Sequence, residues 1–251
     1  MSKKIRLAIP SIQLLVEPTK PVSTKRFISE IYYNRKLEQK LASIEPNSSV
    51  DFSYWNLIDQ DVIILSKEIL VRKPCSKLNL CGNRITDQGV LTLCLRLSNN
   101  STLRALDLSH NQIHDGGVFI LCEMLTINPY SSLKILSLNR NAISNESIQY
   151  LIKMLRINQT LTELSLSDNE IGDYGVKQLA HTLTFHNQTL KVLIISYNIF
   201  ITDLCIDYLI RLLELNKTLR SLSIHDCNLS EFGKDELRNE AEKKSNFELI
   251  I

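Results

Sequence analysis

The chain has 251 residues, of which 44% are hydrophobic and 22% charged, as in an ordinary folded protein. Lysine and arginine number 29 against 27 aspartate and glutamate residues, and the net charge of +2 argues against binding nucleic acid by phosphate neutralisation. The apolar stretch 5–16 is interrupted by Pro10 and is too short to span a bilayer, so neither a signal peptide nor a membrane partner is expected. The six cysteines lack the paired spacing of a zinc site or a disulfide framework, which favours a reducing, cytoplasmic compartment.

Residues 1–46 are the first predicted unit, an N-terminal cap segment with a helix. After a segment with Pro18 and Pro21, Thr24–Ser43 has the pattern of an amphipathic helix. This helix is expected to cover the open end of the repeats that follow, although residues 5–16 could instead dock a partner. Its apolar residues are Phe27, Ile28, Ile31, Leu37 and Leu41.

From residue 47 to residue 251 the chain repeats one pattern, which defines the second predicted unit. Nine-residue segments such as Leu103–Asn111, Leu133–Asn141 and Leu161–Asn169 align without gaps. Six of these segments begin at residues 75, 103, 133, 161, 190 and 219, so the period is 28 to 30 residues. A degenerate first repeat covers 47–74 and a truncated strand covers 247–251, as expected because the terminal repeats of a solenoid are atypical.

Positions are numbered from the first residue of each aligned segment, and each has a physical task. Positions 1, 4 and 6 are apolar and alternate with polar residues, which predicts a half-buried strand of about five residues. A glycine further along usually opens a helix of about twelve residues with apolar residues at helical spacing, as at Gly89, Gly117, Gly175 and Gly233. Position 9 is predicted to form a hydrogen-bonded ladder of Asn83, Asn111, Asn141, Asn169 and Asn198, with Cys227 in the last place.

The pattern predicts an α/β fold, a right-handed solenoid or horseshoe with parallel strands on the concave side and helices on the convex side. Two local features accompany it. The segment Asn198–Ile201 carries one extra residue, which predicts a bulge at the convex edge. The charged segment Lys234–Ser245 is predicted to be a helix that caps the C-terminal end.

This repeat resembles the leucine-rich repeats of the ribonuclease-inhibitor-like subfamily, which also includes GTPase-activating proteins for Ran and the sensor regions of NOD-like receptors. The resemblance covers residues 47–251, about four-fifths of the chain. It implies the solenoid fold. Because these proteins share a scaffold rather than one chemistry, it does not imply a particular activity.

Strand alternation places positions 2, 3, 5, 7 and 8 on the concave face. Position 2 forms a basic column from Arg104 to Arg220, roughly 19 Å long at a strand spacing of about 4.8 Å. Tyrosine and arginine commonly anchor protein interfaces, so this face is predicted to bind another protein, although its residues could simply be solvated polar groups. The predicted partner-binding residues are Arg104, Asp107, His110, Lys134, Asn139, Arg140, Glu163, Asp168, Lys191, Tyr197, Arg220 and His225.

The sequence offers little support for catalysis or metal binding. Asp107, Ser109 and His110 lie on one predicted strand, where nothing aligns a hydroxyl, an imidazole and a carboxylate, so no catalytic residues are expected. Most of the cysteines fall on core or ladder positions, and neither zinc nor any other cofactor is expected. The Asn-x-Thr triplets at residues 158, 187 and 216 are explained by the repeat consensus rather than by glycosylation.

The sequence therefore predicts a non-enzymatic protein–protein interaction module, monomeric when unbound, that binds its partner on the concave face. The partner is predicted to be an enzyme that is inhibited when its active site is covered. The alternative is a regulator of a small GTPase, as in the Ran-activating branch, although the acidic tail of that branch is absent. A bacterial effector is a third reading, in which case the location would be the cytoplasm of a host cell.

Overall fold

A computed structural model describes residues 34–128 and 131–251, in which one parallel sheet of eight strands runs in sequence order. A helix follows every strand except the last, so the predicted α/β solenoid is confirmed. Each strand has three residues, fewer than predicted. The strands are β1 Ser49–Asp51, β2 Lys77–Asn79, β3 Ala105–Asp107, β4 Ile135–Ser137, β5 Glu163–Ser165, β6 Val192–Ile194, β7 Ser221–Ser223 and β8 Glu248–Ile250. The helices are α1 Arg35–Ala42, α2 Asp59–Lys67, α3 Asp87–Leu97, α4 Asp115–Ile127, α5 Ile148–Ile157, α6 Asp173–Phe185, α7 Ile206–Leu215 and α8 Glu231–Glu242.

Strand pairing aligns equivalent positions of neighbouring repeats. Leu136 at position 4 pairs with Leu106 on one side and with Leu164 on the other. The apolar residues at positions 1, 4 and 6 are buried between the sheet and the helices, where they form one continuous core. Neighbouring helices need about 8–10 Å and neighbouring strands about 4.8 Å, so the sheet lines the inner, concave side of the solenoid.

The predicted asparagine ladder at position 9 is confirmed. The Oδ1 atom of Asn141 accepts hydrogen bonds from the backbone N–H groups of Asn111 (3.2 Å) and Ile113 (3.1 Å) in the preceding repeat. Its Nδ2 group donates to three backbone carbonyls, and Asn83, Asn111, Asn169 and Asn198 bond in the same way. In the last place the Cys227 thiol keeps one long contact, 3.5 Å, to the carbonyl of Ile195. The ladder satisfies backbone groups that lie too deep for water.

A second ladder joins the starts of the helices and explains the recurrent glycine. The Asp87 carboxylate accepts a 2.9 Å hydrogen bond from the backbone N–H of His114 in the next repeat. A Cβ atom at Gly117 would lie 2.6 Å from Asp87 Oδ1, so glycine leaves room for that carboxylate. Where Ser147 or Cys205 replaces the glycine, the first turn is a 3₁₀-helix.

The asparagines of the Asn-x-Thr triplets form a third set of buried hydrogen bonds. Asn158, Asn187 and Asn216 are 1 to 3% exposed, and each Oδ1 accepts from two backbone N–H groups of the loop before the next strand. These side chains support the loop from inside. Their burial agrees with the prediction that the repeat consensus explains them.

Three boundaries differ from the sequence predictions or refine them. The helix α8 begins at Glu231 rather than Lys234, because the Ser230 hydroxyl caps its N-terminus by accepting from the Gly233 N–H. The extra residue of Asn198–Ile201 lies in the loop between β6 and α7 rather than on the helical face, and Ile201 takes the buried place. Of the predicted helix Thr24–Ser43, the structure describes α1 with buried Leu37 and Leu41, while Phe27, Ile28 and Ile31 lie outside the described residues.

Candidate functional site

The basic column at position 2 lies where the chain enters the strands. The backbone N–H of Lys134 donates to the carbonyl of Arg104 at 2.7 Å, and the N–H of Arg220 donates to the carbonyl of Lys191 at 2.7 Å, so neighbouring members are adjacent. Arg104, Lys191 and Arg220 are exposed, and Lys134 is half-buried. With Thr162 between them, four cations therefore line this side of the sheet.

A second column, at position 8, lies where the chain leaves the strands, and its backbone is left-handed in every repeat. The residues are Tyr54 (φ 57°), Gly82 (69°), His110 (55°), Arg140 (50°), Asp168 (52°), Tyr197 (59°) and Asp226 (54°). We call these seven residues the position-8 column. Its six non-glycine side chains are all exposed, with Tyr54 at 70% and Tyr197 at 51%.

The left-handed backbone strains three members of the position-8 column, Tyr54, Arg140 and Tyr197. Glycine adopts a positive φ freely, and aspartate and histidine tolerate it, whereas tyrosine and arginine adopt it rarely at a cost on the order of 1–3 kcal/mol. Gly82 shows that this fold accepts glycine at position 8. Such strained, exposed side chains are typical of functional sites.

Contacts within the position-8 column, and between the column and His225, link neighbouring repeats. Arg140 Nε lies 3.6 Å from Asp168 Oδ2, an ion pair exposed to solvent. The Tyr197 ring meets the His225 ring edge-on at 4.8 Å between centroids, and His225 Nδ1 lies 2.6 Å from Asp226 Oδ2. A hydrogen bond to Asp226 and its negative charge raise the pKa of Tyr197. The hydrogen bond with His225 lowers the pKa of Asp226, which therefore stays ionised at neutral pH.

Four predicted residues lie between the two columns, namely Asp107, Asn139, Glu163 and His225, and two of them support strand ends. The Asp107 carboxylate accepts a 2.8 Å hydrogen bond from the N–H of Ser109. The Asn139 side chain accepts from the Ser165 hydroxyl (2.5 Å) and from the Ser167 N–H (2.8 Å). Glu163 is half-buried on β5. Asp107 and Asn139 therefore have structural tasks as well as partial exposure.

Part of the concave face is less accessible than strand alternation predicts. Four of the serines at positions 5 and 7 are buried rather than exposed on the concave face. For example, the hydroxyls of Ser196 and Ser223 bond each other at 2.8 Å. The buried serines are Ser109, Ser165, Ser196 and Ser223.

Eight of the twelve predicted residues therefore fall into two columns, four in each, and the other four lie between the columns. Positions 2 and 8 are six residues apart, which is roughly 20 Å at extended spacing. The position-8 column includes Tyr54 and Asp226 in addition to His110, Arg140, Asp168 and Tyr197. Only one residue in the sequence indicated the left-handed backbone at position 8. This residue is Gly82, because a glycine often occupies a place where φ is positive.

The side chains considered for catalysis or metal binding are not arranged for either task in the described residues. The Asp107 carboxylate bonds the Ser109 backbone rather than His110. Burial raises the pKa of the Cys75 thiol to about 11 and that of Cys94 to about 12, so neither is a reactive thiolate at neutral pH. Across the described parts of the chain, no three His, Cys, Asp or Glu side chains are grouped to hold a metal ion.

No helix in residues 34–128 and 131–251 is long and apolar enough to cross a bilayer.

Comparison with known proteins agrees with the geometry of the repeats. A family model described as leucine-rich repeat matches residues 76–94, 99–122 and 158–180. NACHT, LRR and PYD domains-containing protein 4C of Mus musculus is 33% identical over 78 residues, 31% of this chain and 8% of the relative. The protein named NACHT, LRR and PYD domains-containing protein 3 of Bos taurus is 40% identical over 76 residues, 30% of this chain and 7% of the relative. The matched stretch is thus a small part of each relative.

A solved structure supports the fold. The leiomodin-1 actin-binding site 2 structure superposes with a TM-score of 0.52 and 19% sequence identity, and covers 73% of this chain and 94% of that one. At this identity the likeness concerns the fold alone. Three segments of the chain therefore match the leucine-rich repeat model, and the described residues fold as an α/β solenoid.

Proposed function

We propose that this protein is a non-catalytic recognition module that binds another protein through the position-8 column and the adjoining sheet face. The observation that carries the proposal is the presence of tyrosine, arginine and histidine where the backbone favours glycine. Their exposed side chains contribute nothing to the core, whereas tyrosine and arginine are the side chains that most often dominate protein interfaces. A curved sheet of eight strands holds them at fixed spacing before a partner arrives.

The left-handed backbone allows binding to be separated from folding. The double variant His110→Gly and Tyr197→Gly removes two side chains and relieves the strain at Tyr197, while glycine's greater freedom in the unfolded chain opposes that gain. We expect the free energy of unfolding to stay within about 1 kcal/mol of the wild type. Capture of the partner from a cell extract, quantified by mass spectrometry, should fall at least about tenfold.

The matched control is Gln149→Ala, an exposed side chain on α5, which should leave both capture and melting temperature unchanged. Charge reversal at Arg104 reports separately on the basic column. Unchanged capture by the glycine double variant would contradict the proposal. Loss of capture together with an early melt would show that the position-8 column has a structural task instead.

The finer proposal is that the captured protein is an enzyme whose active site is covered in the complex. Its activity should then fall as this protein is added in equimolar steps, and the glycine double variant should not inhibit. If the captured protein is a small GTPase and its rate of GTP hydrolysis rises, the protein is a GTPase regulator and inhibition is wrong. We propose a cytoplasmic location, since the six cysteines are free thiols in the structure.

A further inference from the structure

Five large apolar side chains stand exposed along the loops that join strands to helices in the second half of the solenoid. Each is between 56 and 73% exposed. Folded proteins seldom leave neighbouring large apolar side chains in water, and such patches usually mark sites of association. We call this surface the apolar edge, and its members are Tyr174, Ile199, Phe200, Leu204 and Phe232.

Hydrogen bonds between neighbouring loops make the apolar edge continuous. Gly172 and Phe200 form a parallel bridge between the loops of two neighbouring repeats. The Asp203 carboxylate accepts a 2.9 Å hydrogen bond from the N–H of Ser230 and so joins the next pair of loops. Equivalent places in three neighbouring repeats are therefore held side by side, and they are occupied by Tyr174, Leu204 and Phe232.

The fold does not require apolar residues at these places. The three preceding repeats have Gln88, Gly116 and Glu146 where the apolar edge has Tyr174, Leu204 and Phe232. The extra residue of the fifth aligned repeat turns Ile199 and Phe200 outward while Ile201 keeps the buried place. The apolar edge is thus an addition to the repeat, confined to one half of the solenoid.

The loops that carry the apolar edge are acidic, although Lys177 and Lys234 lie just beyond two of them. These three loops, residues 168–174, 197–208 and 225–232, contain seven carboxylates and no lysine or arginine. Among the described residues, Asp168 and Glu231 form salt bridges with cations from other segments, whereas the other five carboxylates form none with lysine or arginine. In the preceding loops, 82–88, 110–116 and 140–146, Arg84 and Arg140 balance most of the negative charge.

We propose that the apolar edge binds a cationic amphipathic helix of a partner protein. The apolar side chains would pack against one face of that helix, and the carboxylates would attract lysine and arginine on its flanks. The carboxylates would repel anionic lipid and nucleic acid. They would also repel a second copy of this chain, because its apolar edge carries the same carboxylates. One anchor per repeat, roughly 5–10 Å apart, matches residues i, i+4 and i+7 of a helix that rises about 1.5 Å per residue.

The apolar side chains of this surface are not members of the position-8 column, which shares the carboxylates Asp168 and Asp226 with it, and the proposal can be tested with a synthetic probe. The probe is an 18-residue helix-forming peptide with leucine along one face and lysine elsewhere, labelled for fluorescence anisotropy. The full chain should bind it with an affinity that falls as salt is added. A peptide with glutamate in place of lysine should bind at least tenfold more weakly.

Two variants of the protein locate the binding surface. Leu204→Ser with Phe232→Ser should weaken binding at least tenfold without changing the melting temperature, because both side chains are more than two-thirds exposed. The matched control, Ile63→Ser with Leu95→Ser, removes exposed apolar side chains from α2 and α3 and should bind like the wild type. Glu170→Gln with Asp207→Asn should weaken binding and flatten its salt dependence.

Each remaining outcome overturns the proposal. Equal binding by the Leu204→Ser and Phe232→Ser variant would place the peptide elsewhere, and equal binding of the glutamate peptide would remove the role of charge. Self-association of the wild type that this variant abolishes would make the occupant a second copy. The His110→Gly and Tyr197→Gly variant should bind the peptide with the affinity of the wild type. Failure of the proposed function would therefore not decide whether the apolar edge binds the peptide.

Discussion

Replacing Asn141 with alanine should lower the free energy of unfolding by about 2–4 kcal/mol, because it leaves buried backbone groups of two repeats without partners. The side chain is 7% exposed and makes five hydrogen bonds to backbone atoms. The N–H of Ile113 donates to Asn141 Oδ1. In the alanine variant it would have no acceptor, because a methyl group accepts no hydrogen bond and Ile113 lies too deep for full solvation. Urea denaturation followed by circular dichroism measures the change.

The control for this variant is Asn228→Ala, an exposed asparagine in the loop before α8, which should change stability by less than about 0.5 kcal/mol. Asn141→Cys imitates the residue in the last place of the ladder, Cys227, whose thiol is one weak donor and only a weak acceptor for the N–H groups. It should therefore remain closer to the alanine variant than to the wild type. A stability equal to that of the wild type would show that the ladder contributes little.

Replacing Leu136 with alanine should cost about 2–5 kcal/mol, since it opens a cavity in the middle of the core. Leu136 is 1% exposed and lies on β4 between Leu106 and Leu164. In a solenoid each repeat is stabilised by its two neighbours, so a defect at the centre weakens both contacts. Thermal and urea unfolding would both measure the loss.

Leu95→Ala is the matched control, because this leucine on α3 is 59% exposed and its loss should cost less than about 0.5 kcal/mol. If Leu136→Ala behaved like Leu95→Ala, the side chain at position 4 would not face the core and the repeat register would be wrong.

The sequence predicted those features of the fold that depend on residue type at a fixed spacing. Leucine at positions 1, 4 and 6 requires a buried side, and asparagine at position 9 is a side chain that can both donate to and accept from backbone. The start of α8 was missed by three residues because Ser230 was not identified as a helix cap. The strands were predicted too long, since alternation continues beyond the residues that pair.

The candidate site was harder to predict because its main feature is conformational. The backbone at Tyr197 and Arg140 is left-handed because of their place in the repeat. Tyrosine and arginine rarely adopt this conformation, so the residue types do not predict it. The burial of Ser196 and Ser223 depends on contacts between neighbouring strands, which a single strand pattern does not contain. The apolar edge was missed for a related reason: Leu204 and Phe232 occupy helix starts, and only the structure places these starts together at the surface.

The proposed recognition surface can be measured by cross-linking. A photo-activated amino acid is placed at Tyr197 in one sample, at His110 in a second and at Gln149 on α5 in a third, and each protein is irradiated in cell extract. Binding through the position-8 column predicts one discrete adduct from the first two positions, displaced by unlabelled wild type, and none from the third. An adduct formed mainly from Gln149, or none from Tyr197 and His110 with a partner captured, would contradict it.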